Sequence, residues 1–151
     1  MKKLIVNLEV PTASRGFTLI GLMIVLAMIA IILALAVPMY TNYSIRAKVN
    51  EALSVGAAAK IALASTCQSD LTLIDLTNQK VGYDFEESKY VFNIVLSGSS
   101  LAPTITMTTQ ATGAQPDPVL TITGDFTHGA RTTWACVSSG LNVHVPKTCR
   151  S

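Results

Sequence analysis

The chain of 151 residues is long enough for one domain and leaves little room for a second. Half of its residues are hydrophobic, 13% are charged and the mean hydropathy is +0.46, whereas ordinary soluble domains carry about 25% charged residues. This composition excludes a disordered or nucleic-acid-coating chain and indicates apolar residues concentrated in one segment. The net charge of +2 is too small for a general phosphate-binding surface. Two histidines and three cysteines are too few for most metal sites, so we expect no cofactor.

The apolar excess lies between Phe17 and Val37, which read FTLIGLMIVLAMIAIILALAV without a charged residue. As a helix with about 1.5 Å of rise per residue this segment is roughly 32 Å long, enough to cross the hydrocarbon core of a bilayer. The apolar core of a secretory signal peptide is shorter, about 7–15 residues. The rest of the chain is too small to bury a helix that is apolar on every face. The sequence therefore predicts a membrane-spanning helix.

Residues 1–16 form a short basic segment ahead of the span. Lys2, Lys3 and Arg15 outnumber Glu9, and the positive-inside rule places this end in the cytoplasm. Ala34 and Ala36 are small enough for a signal-peptidase site, so residue type alone leaves that route open. The polar, helix-compatible stretch after Pro38 favours continuation of the helix.

The segment from Arg15 to Tyr43, RGFTLIGLMIVLAMIAIILALAVPMYTNY, resembles the processing site and first helix of type IVa pilins. The resemblance implies that residues 1–16 are a prepilin leader and that residues 17–38 are the transmembrane and assembly helix. It also implies cleavage by a prepilin peptidase between Gly16 and Phe17, followed by N-methylation of Phe17. Glycine suits such a junction because, without a Cβ, its extended backbone can enter a narrow cleft.

Gly21 departs from the family pattern. Family members that form the main subunit have Glu at this position, where its carboxylate pairs with the methylated amine of a neighbouring subunit. Here the first acid after Phe17 is Glu51. An unpaired ammonium in an apolar filament core is costly. The resemblance therefore implies assembly through Phe17, Gly21 and Pro38, and leaves open whether the chain is a major subunit, a minor one or a non-assembling membrane protein.

Residues 39–66 continue the helix with an amphipathic pattern. The predicted face that docks on a sheet comprises Ile45, Val49, Ala52, Leu53, Ala57, Ile61 and Ala64. Tyr40 and Tyr43 lie where an aromatic belt meets a membrane surface. Pro38 is expected to kink the helix, since it removes one backbone hydrogen bond and crowds the preceding turn.

Residues 67–151 are predicted to hold a surface loop, an antiparallel sheet and a C-terminal loop. The mixed segment 67–87 resembles the variable connection between helix and sheet in pilins. Three or four β-rich runs follow, at 90–96, 104–108, 119–123 and around 133–137, and residues 110–118 have the composition of a turn. The expected fold class is α+β, with the long N-terminal helix packed on an antiparallel sheet, as in the pilin fold.

The cysteines indicate that this part of the chain lies outside the cytoplasm. The spacing of Cys136 and Cys149 resembles the disulfide-bounded loop of type IVa pilins. Cys67 is most simply a buried apolar residue at the helix end, and pairing with another molecule is the alternative. From the sequence alone, three single-bridge pairings stay open. The resemblance also suggests glycosylation of the terminal Ser151, as in some pilins.

The remaining charged residues give weaker signals. Residues 126–151 contain Arg131, Lys147, Arg150, His128 and His144 without an acid, so DNA is a possible partner through few and salt-sensitive phosphate contacts. Asp84, Glu86 and Glu87 read as a solvated acidic patch rather than a cation site. No motif for catalysis occurs, so no enzymatic activity is expected.

Together these observations predict a type IV pilus subunit for adhesion, twitching motility or DNA uptake. Its expected partners are other pilin subunits, the inner membrane, the pilus assembly machinery and the prepilin peptidase, with DNA or a host surface as further possibilities. We expect it in the inner membrane before assembly and on the cell surface afterwards. The alternatives are a minor DNA-receptor pilin, or a pilin-like membrane protein that does not assemble because Gly21 replaces the family Glu.

Overall fold

The computed structural model describes residues 18–126 and 132–150, and the chain divides after Val37 into two compact units. The elements are helix α1 (Leu19–Ser69), helix α2 (Asn78–Val81), strands β1 (Val91–Gly98), β2 (Pro103–Thr109), β3 (Val119–Asp125) and β4 (Thr133–Ser138), and a 3-10 turn (Lys147–Cys149).

The described part of the first unit is the apolar beginning of α1. The helix is long and apolar enough to cross a membrane, and none of its most apolar stretch is buried. Large side chains are exposed all along it, from Leu19 to Val37. Because exposed apolar surface costs about 25 cal/mol per Å² in water, this segment requires lipid or protein around it.

In the second unit, α1 buries one face against the sheet. The buried residues of this face recur at intervals of three and four: Ile45, Val49, Ala52, Gly56, Ala59, Leu63 and Cys67. The predicted face was wrong at Ala57 and Ile61, which are exposed, and Leu53 and Ala64 are only partly buried. Repeated steps of four turn away from the sheet because four residues exceed one helical turn. The alternating steps through Gly56 and Ala59 stay on one face.

The sheet has the order β1-β2-β3-β4, with every neighbouring pair antiparallel. In β2, alternate residues are buried, as expected for a strand with one face on a core. β1 breaks this alternation because its register shifts between Val91 and Asn93, which brings Val91 and Ile94 to the same buried side. The α+β fold with a helix on an antiparallel sheet is confirmed, and the sheet has four strands where three or four were predicted.

Gly56 allows close approach of α1 and the sheet. It lies against the Met107 side chain of β2, and a Cβ at this position would overlap the sulfur. Met107 is fully buried, as are its neighbours across the sheet, Ile94 and Leu120. At this point the backbone of α1 packs directly on the Met107 side chain. Gly56 therefore belongs to the core although it has no side chain of its own.

The segment 67–87 is more ordered in its contacts than the predicted surface loop. α1 runs to Ser69, three residues beyond the predicted end, and Leu76 is buried. Asn78 accepts a hydrogen bond from Leu96 N–H at 2.7 Å and donates one to the Ile94 carbonyl at 2.8 Å. Its side-chain amide thus occupies backbone groups on the outer edge of β1, which would otherwise be open to pairing with another strand.

Candidate assembly and anchoring site

The first turn of α1 is capped by Thr18. Its hydroxyl accepts a hydrogen bond from the Gly21 N–H at 3.2 Å, and the first turn contains no acidic residue. An acid three residues after a Thr cap would complete a capping box, in which the acidic side chain bonds back to the cap. Gly21 supplies only its N–H, so this helix end is capped by the Thr18 hydroxyl but has no carboxylate to pair with a nearby cation.

The residues predicted for processing and modification lie outside the described residues. These are Gly16 and Phe17 at the expected cleavage junction, and Ser151 at the expected glycosylation site. Pro38 lies inside α1, where the second compact unit begins. The kink expected there, and the roles of Phe17, Gly21 and Pro38 in assembly, stay predictions.

The disulfide implied by the resemblance is present. Cys136 in β4 is bonded to Cys149 in the 3-10 turn, with Cα atoms 4.5 Å apart and a sequence separation of 13. The bond closes the loop that follows β4 and holds the C-terminal segment beside that strand. Val145 and Cys149 are buried, so the loop also contributes to the core.

The disulfide-closed loop is attached to α1 as well as to β4. The Arg46 guanidinium donates to the Val143 carbonyl through Nη2 and, at 3.2 Å, through Nε. The His144 Nε2 and the Asn42 side-chain oxygen are 3.1 Å apart, within hydrogen-bonding distance. Sequence reasoning missed these contacts, which join residues about a hundred positions apart. The only available signal was an arginine shortly after the apolar span.

Cys67 is a free, buried cysteine at the end of the buried face of α1. Burial raises the pKa of its thiol, an effect larger than the opposite one of its hydrogen bond with Ser100. A raised pKa keeps the sulfur in the unreactive thiol form near neutral pH. Cys67 is therefore buried, as the interpretation as a small apolar residue predicts, and Cys136 and Cys149 pair with each other rather than with it.

The charged residues singled out from the sequence do not converge on one site. Lys147 and Arg150 are exposed, and the Arg150 Nε donates to the Val145 carbonyl at 3.2 Å. Arg131 and His128 lie outside the described residues. Asp84, Glu86 and Glu87 are exposed, and no group of three potential metal-binding side chains occurs within 18–126 and 132–150.

Comparison with known proteins adds two family matches. Residues 45–150 match the pilin family of bacterial filaments, and residues 11–37 match the prokaryotic N-terminal methylation motif. The fimbrial protein EcpC of Eikenella corrodens is 33% identical over 141 residues, or 91% of each chain. The type IV major fimbrial protein FimA of Dichelobacter nodosus is 40% identical over 78 residues, 50% of this chain and 48% of that protein. The type IV major pilin protein PilE1 of Neisseria gonorrhoeae is 46% identical over 52 residues, 34% of this chain and 32% of that protein.

An apolar helical segment that continues into a helix packed on a four-stranded antiparallel sheet, with a disulfide-closed C-terminal loop, is a pilin-like architecture. The pilin match covers the globular part, and the methylation-motif match covers the apolar beginning of α1. The chain therefore belongs to the pilin family. This family is structural, and the fimbrial relatives support a role as a pilus subunit in surface filaments.

Proposed function

We propose that this chain is a type IV pilin that is cleaved between Gly16 and Phe17, methylated at Phe17 and then transferred from the inner membrane into a filament. The observation that carries the proposal is the exposed apolar beginning of α1, joined to a globular unit of the pilin family. Lipid satisfies that surface before assembly. In the filament, the same surface packs against the equivalent helices of neighbouring subunits, so no apolar area has to enter water.

Gly21 distinguishes this subunit from the Glu-bearing pilins that it resembles. Between Phe17 and Asn50 the chain has no carboxylate, so a copy of this chain offers no acid in that stretch to the methylated ammonium of the next. A buried cation without a partner is strongly unfavourable. We therefore expect the chain to enter filaments sparsely, or beside a Glu-bearing partner subunit whose carboxylate meets Phe17.

The substitution Gly21→Glu tests this proposal, with Gly21→Gln as the matched control. Both side chains have the same length, both remove the helix penalty of glycine of about 1 kcal/mol, and both place a Cβ 3.1 Å from the Thr18 hydroxyl. Only Glu adds a charge. We expect Gly21→Glu to increase the amount of chain in sheared filaments from cells expressing this pilin alone, and Gly21→Gln to leave it near the parental level.

Two outcomes of this comparison contradict the expected role of the carboxylate. Abundant filaments from the parental chain, with no gain from Gly21→Glu, mean that helix packing alone drives assembly and that the chain is a major pilin. An equal gain from both variants means that helix propensity, rather than charge pairing, limits incorporation.

The cleavage junction is tested by replacing Gly16 with a bulky residue such as Gly16→Leu. A side chain at the cut obstructs the extended backbone, so the precursor should accumulate at its full mass. Gly16→Ala, which adds only one methyl group, is the graded control. A mature mass from Gly16→Leu would exclude this junction.

The filament's use follows from the same resemblance: attachment to surfaces, twitching motility or DNA uptake. Lys147 and Arg150 are exposed in the C-terminal loop, and residues 132–150 contain no acid. Because the basic residues are few, we expect any contact with DNA phosphates to be weak and sensitive to salt. A gel shift that persists at physiological salt would favour the DNA-receptor alternative over a general structural subunit.

A further inference from the structure

The disulfide-closed loop exposes two aliphatic side chains beside the start of the second unit. Val143 lines a shallow hollow of about 290 Å³ with Met39, Asn42, Tyr43 and Arg46. Leu141 belongs to the same turn, which is closed by a 2.9 Å hydrogen bond from His144 N–H to the Leu141 carbonyl. Met39, Tyr40, Tyr43, Leu141 and Val143 are all exposed, and we call these five residues the interfacial patch.

The position of the patch along the helix is fixed by hydrogen bonds. Arg46 holds the Val143 carbonyl and Asn42 contacts His144, so the loop is attached at the level of the first helical turns after Pro38. Leu141 is 62% exposed and Val143 43% exposed. The loop could instead have turned these side chains toward the core, as it does with Val145.

Chain connectivity places this patch near the bilayer. Met39 follows Val37 by two residues, and two residues of chain extend at most about 7 Å. The headgroup region outside the hydrocarbon core is about 5–8 Å deep on each side. If the apolar segment up to Val37 spans the membrane, Met39 lies in or directly beside the headgroup region, and Val143 lines the same hollow as Met39.

The chemistry of the patch fits that region. Tyr rings combine an apolar body with a polar hydroxyl and are enriched at membrane interfaces. Met39 and Val143 add aliphatic surface around one hollow, and Leu141 adds exposed aliphatic surface in the turn that contains Val143. Arg46 also lines the hollow and contributes a positive charge, and no acidic residue occurs from residue 18 to residue 50. The carboxylate of Asp117, in the loop between β2 and β3, accepts hydrogen bonds from the Thr112 N–H and hydroxyl instead of pairing with Arg46.

We propose that the interfacial patch is a lipid-binding surface, through which the C-terminal disulfide loop rests on the headgroup region of the membrane that anchors the chain. This inference rests on the membrane anchoring under the proposed function. It assigns the loop a role before assembly: Leu141 and Val143 extend the aromatic belt of Tyr40 and Tyr43 and restrict the orientation of the globular unit on the bilayer. The polar contacts from Arg46 and Asn42 are the clamp that keeps the loop in place.

The test uses the full chain in vesicles of phosphatidylethanolamine and phosphatidylglycerol that carry bromine atoms on the upper acyl chain. Bromine quenches tryptophan fluorescence only at short range. In a Trp134→Phe background, single indoles are introduced by Leu141→Trp and, as the matched control, by Ile74→Trp. Ile74 is an exposed aliphatic residue just beyond the end of α1, about 35 Å of helix away from Arg46. Leu26→Trp reports on the span itself.

We expect strong quenching for Leu26→Trp and Leu141→Trp, and several-fold weaker quenching for Ile74→Trp. Quenching at Leu26 with equal, weak quenching at Leu141 and Ile74 would overturn the lipid-binding surface but leave the anchoring intact. Absence of quenching at Leu26 would instead contradict the anchoring. An indole at Leu141 that is shielded in filaments, but not in vesicles, would assign the patch to a neighbouring subunit and overturn the proposal.

A second pair of variants tests the clamp. Arg46→Gln should reduce the quenching of the Leu141→Trp indole because it removes the charged donor to the Val143 carbonyl. Lys48→Gln is the matched control: Lys48 is also basic and donates to a carbonyl, that of Thr112 at 3.0 Å, but in a different loop. Equal effects of the two variants would contradict the clamp. If Trp134→Phe impairs folding, the parental chain serves as the background and its fluorescence is subtracted.

Discussion

The two parts of helix α1 differ in how their apolar surface is covered. Up to Val37 the helix is apolar on every side and its apolar stretch is not buried within the chain. After Pro38 one face, from Ile45 to Cys67, is buried on the sheet, while the other faces are exposed or partly exposed. The first part depends on lipid or on neighbouring subunits, whereas the second is completed by its own chain. One continuous helix therefore needs two environments, which is what a subunit that moves from membrane to filament requires.

Arginine substitutions should have the largest effect, and it should differ most between the two parts of α1. The combined change Leu26→Arg, Ile29→Arg and Leu33→Arg should release much of the chain from the membrane. Each arginine at the centre of a span costs about 2.5–3.5 kcal/mol on insertion scales. Extraction of membranes with alkaline carbonate measures the retained fraction.

The control places three arginines on exposed positions of the second part. Ser54→Arg, Ala58→Arg and Ile61→Arg change the charge equally but replace exposed residues. This variant should stay in the membrane. Similar release of both variants would contradict the division of α1 into a lipid-facing and a sheet-facing part.

Within the second part of α1, substitutions at two nearby positions should have very different effects on the free energy of unfolding. Leu63 is fully buried and Ile61 is 72% exposed, although both are large aliphatic residues. Leu63→Ala should lower the free energy of unfolding by about 2–5 kcal/mol, because it leaves a cavity between helix and sheet. Ile61→Ala should change it by less than about 0.5 kcal/mol. Denaturant unfolding of the full chain in detergent measures both, and a larger effect at Ile61 would mean that the predicted face, rather than the observed one, packs on the sheet.

Loss of the Cys136–Cys149 disulfide should also lower the free energy of unfolding. Cys136→Ser should lower the free energy of unfolding by about 3 kcal/mol, because the open chain gains entropy on unfolding, and it should loosen the loop up to residue 150. Faster amide exchange in residues 137–150 would report the loosening. Cys67→Ser is the control for loss of a sulfur, and a tryptic map that links Cys136 to Cys67 would contradict the observed pairing.

A small, pH-dependent effect is expected at Asp70, just after the end of α1. Hydrogen bonds from the Thr72 hydroxyl and N–H lower the pKa of this carboxyl below its ordinary value of 3.8. The stabilisation is therefore present above that pH and is lost as the pH falls through the lower, native pKa. Asp70→Asn should flatten the acid side of the stability curve slightly, and Thr72→Val should do so in part. An unchanged acid limb in Asp70→Asn would contradict the assigned cause.

The parts of the fold that could be predicted from the sequence are those where local pattern and burial agree. The strands could be placed because their apolar residues largely alternate. The span could be placed because an uncharged apolar helix of its length has no room to be buried in so short a chain. The docking face was only half right: Gly56 belongs to the core through close approach to Met107, and hydrophobicity does not identify a glycine as buried.

Contacts between distant residues were not predictable. The side chain of Asn78 on the edge of β1, and the guanidinium of Arg46 on the Val143 carbonyl, depend on how loops return to the body of the fold. No local periodicity encodes them. The disulfide was anticipated through the family resemblance, while residue spacing alone left three pairings open.

The central claim, that this chain is processed and moves from the membrane into a filament, is tested most directly by mass analysis of sheared surface filaments. The filaments come from cells that express this chain. We expect a subunit that begins with N-methylated Phe17, lacks residues 1–16 and retains the Cys136–Cys149 bond. A chain that is found only in the membrane fraction, or that enters filaments with residues 1–16 still attached, would contradict the claim.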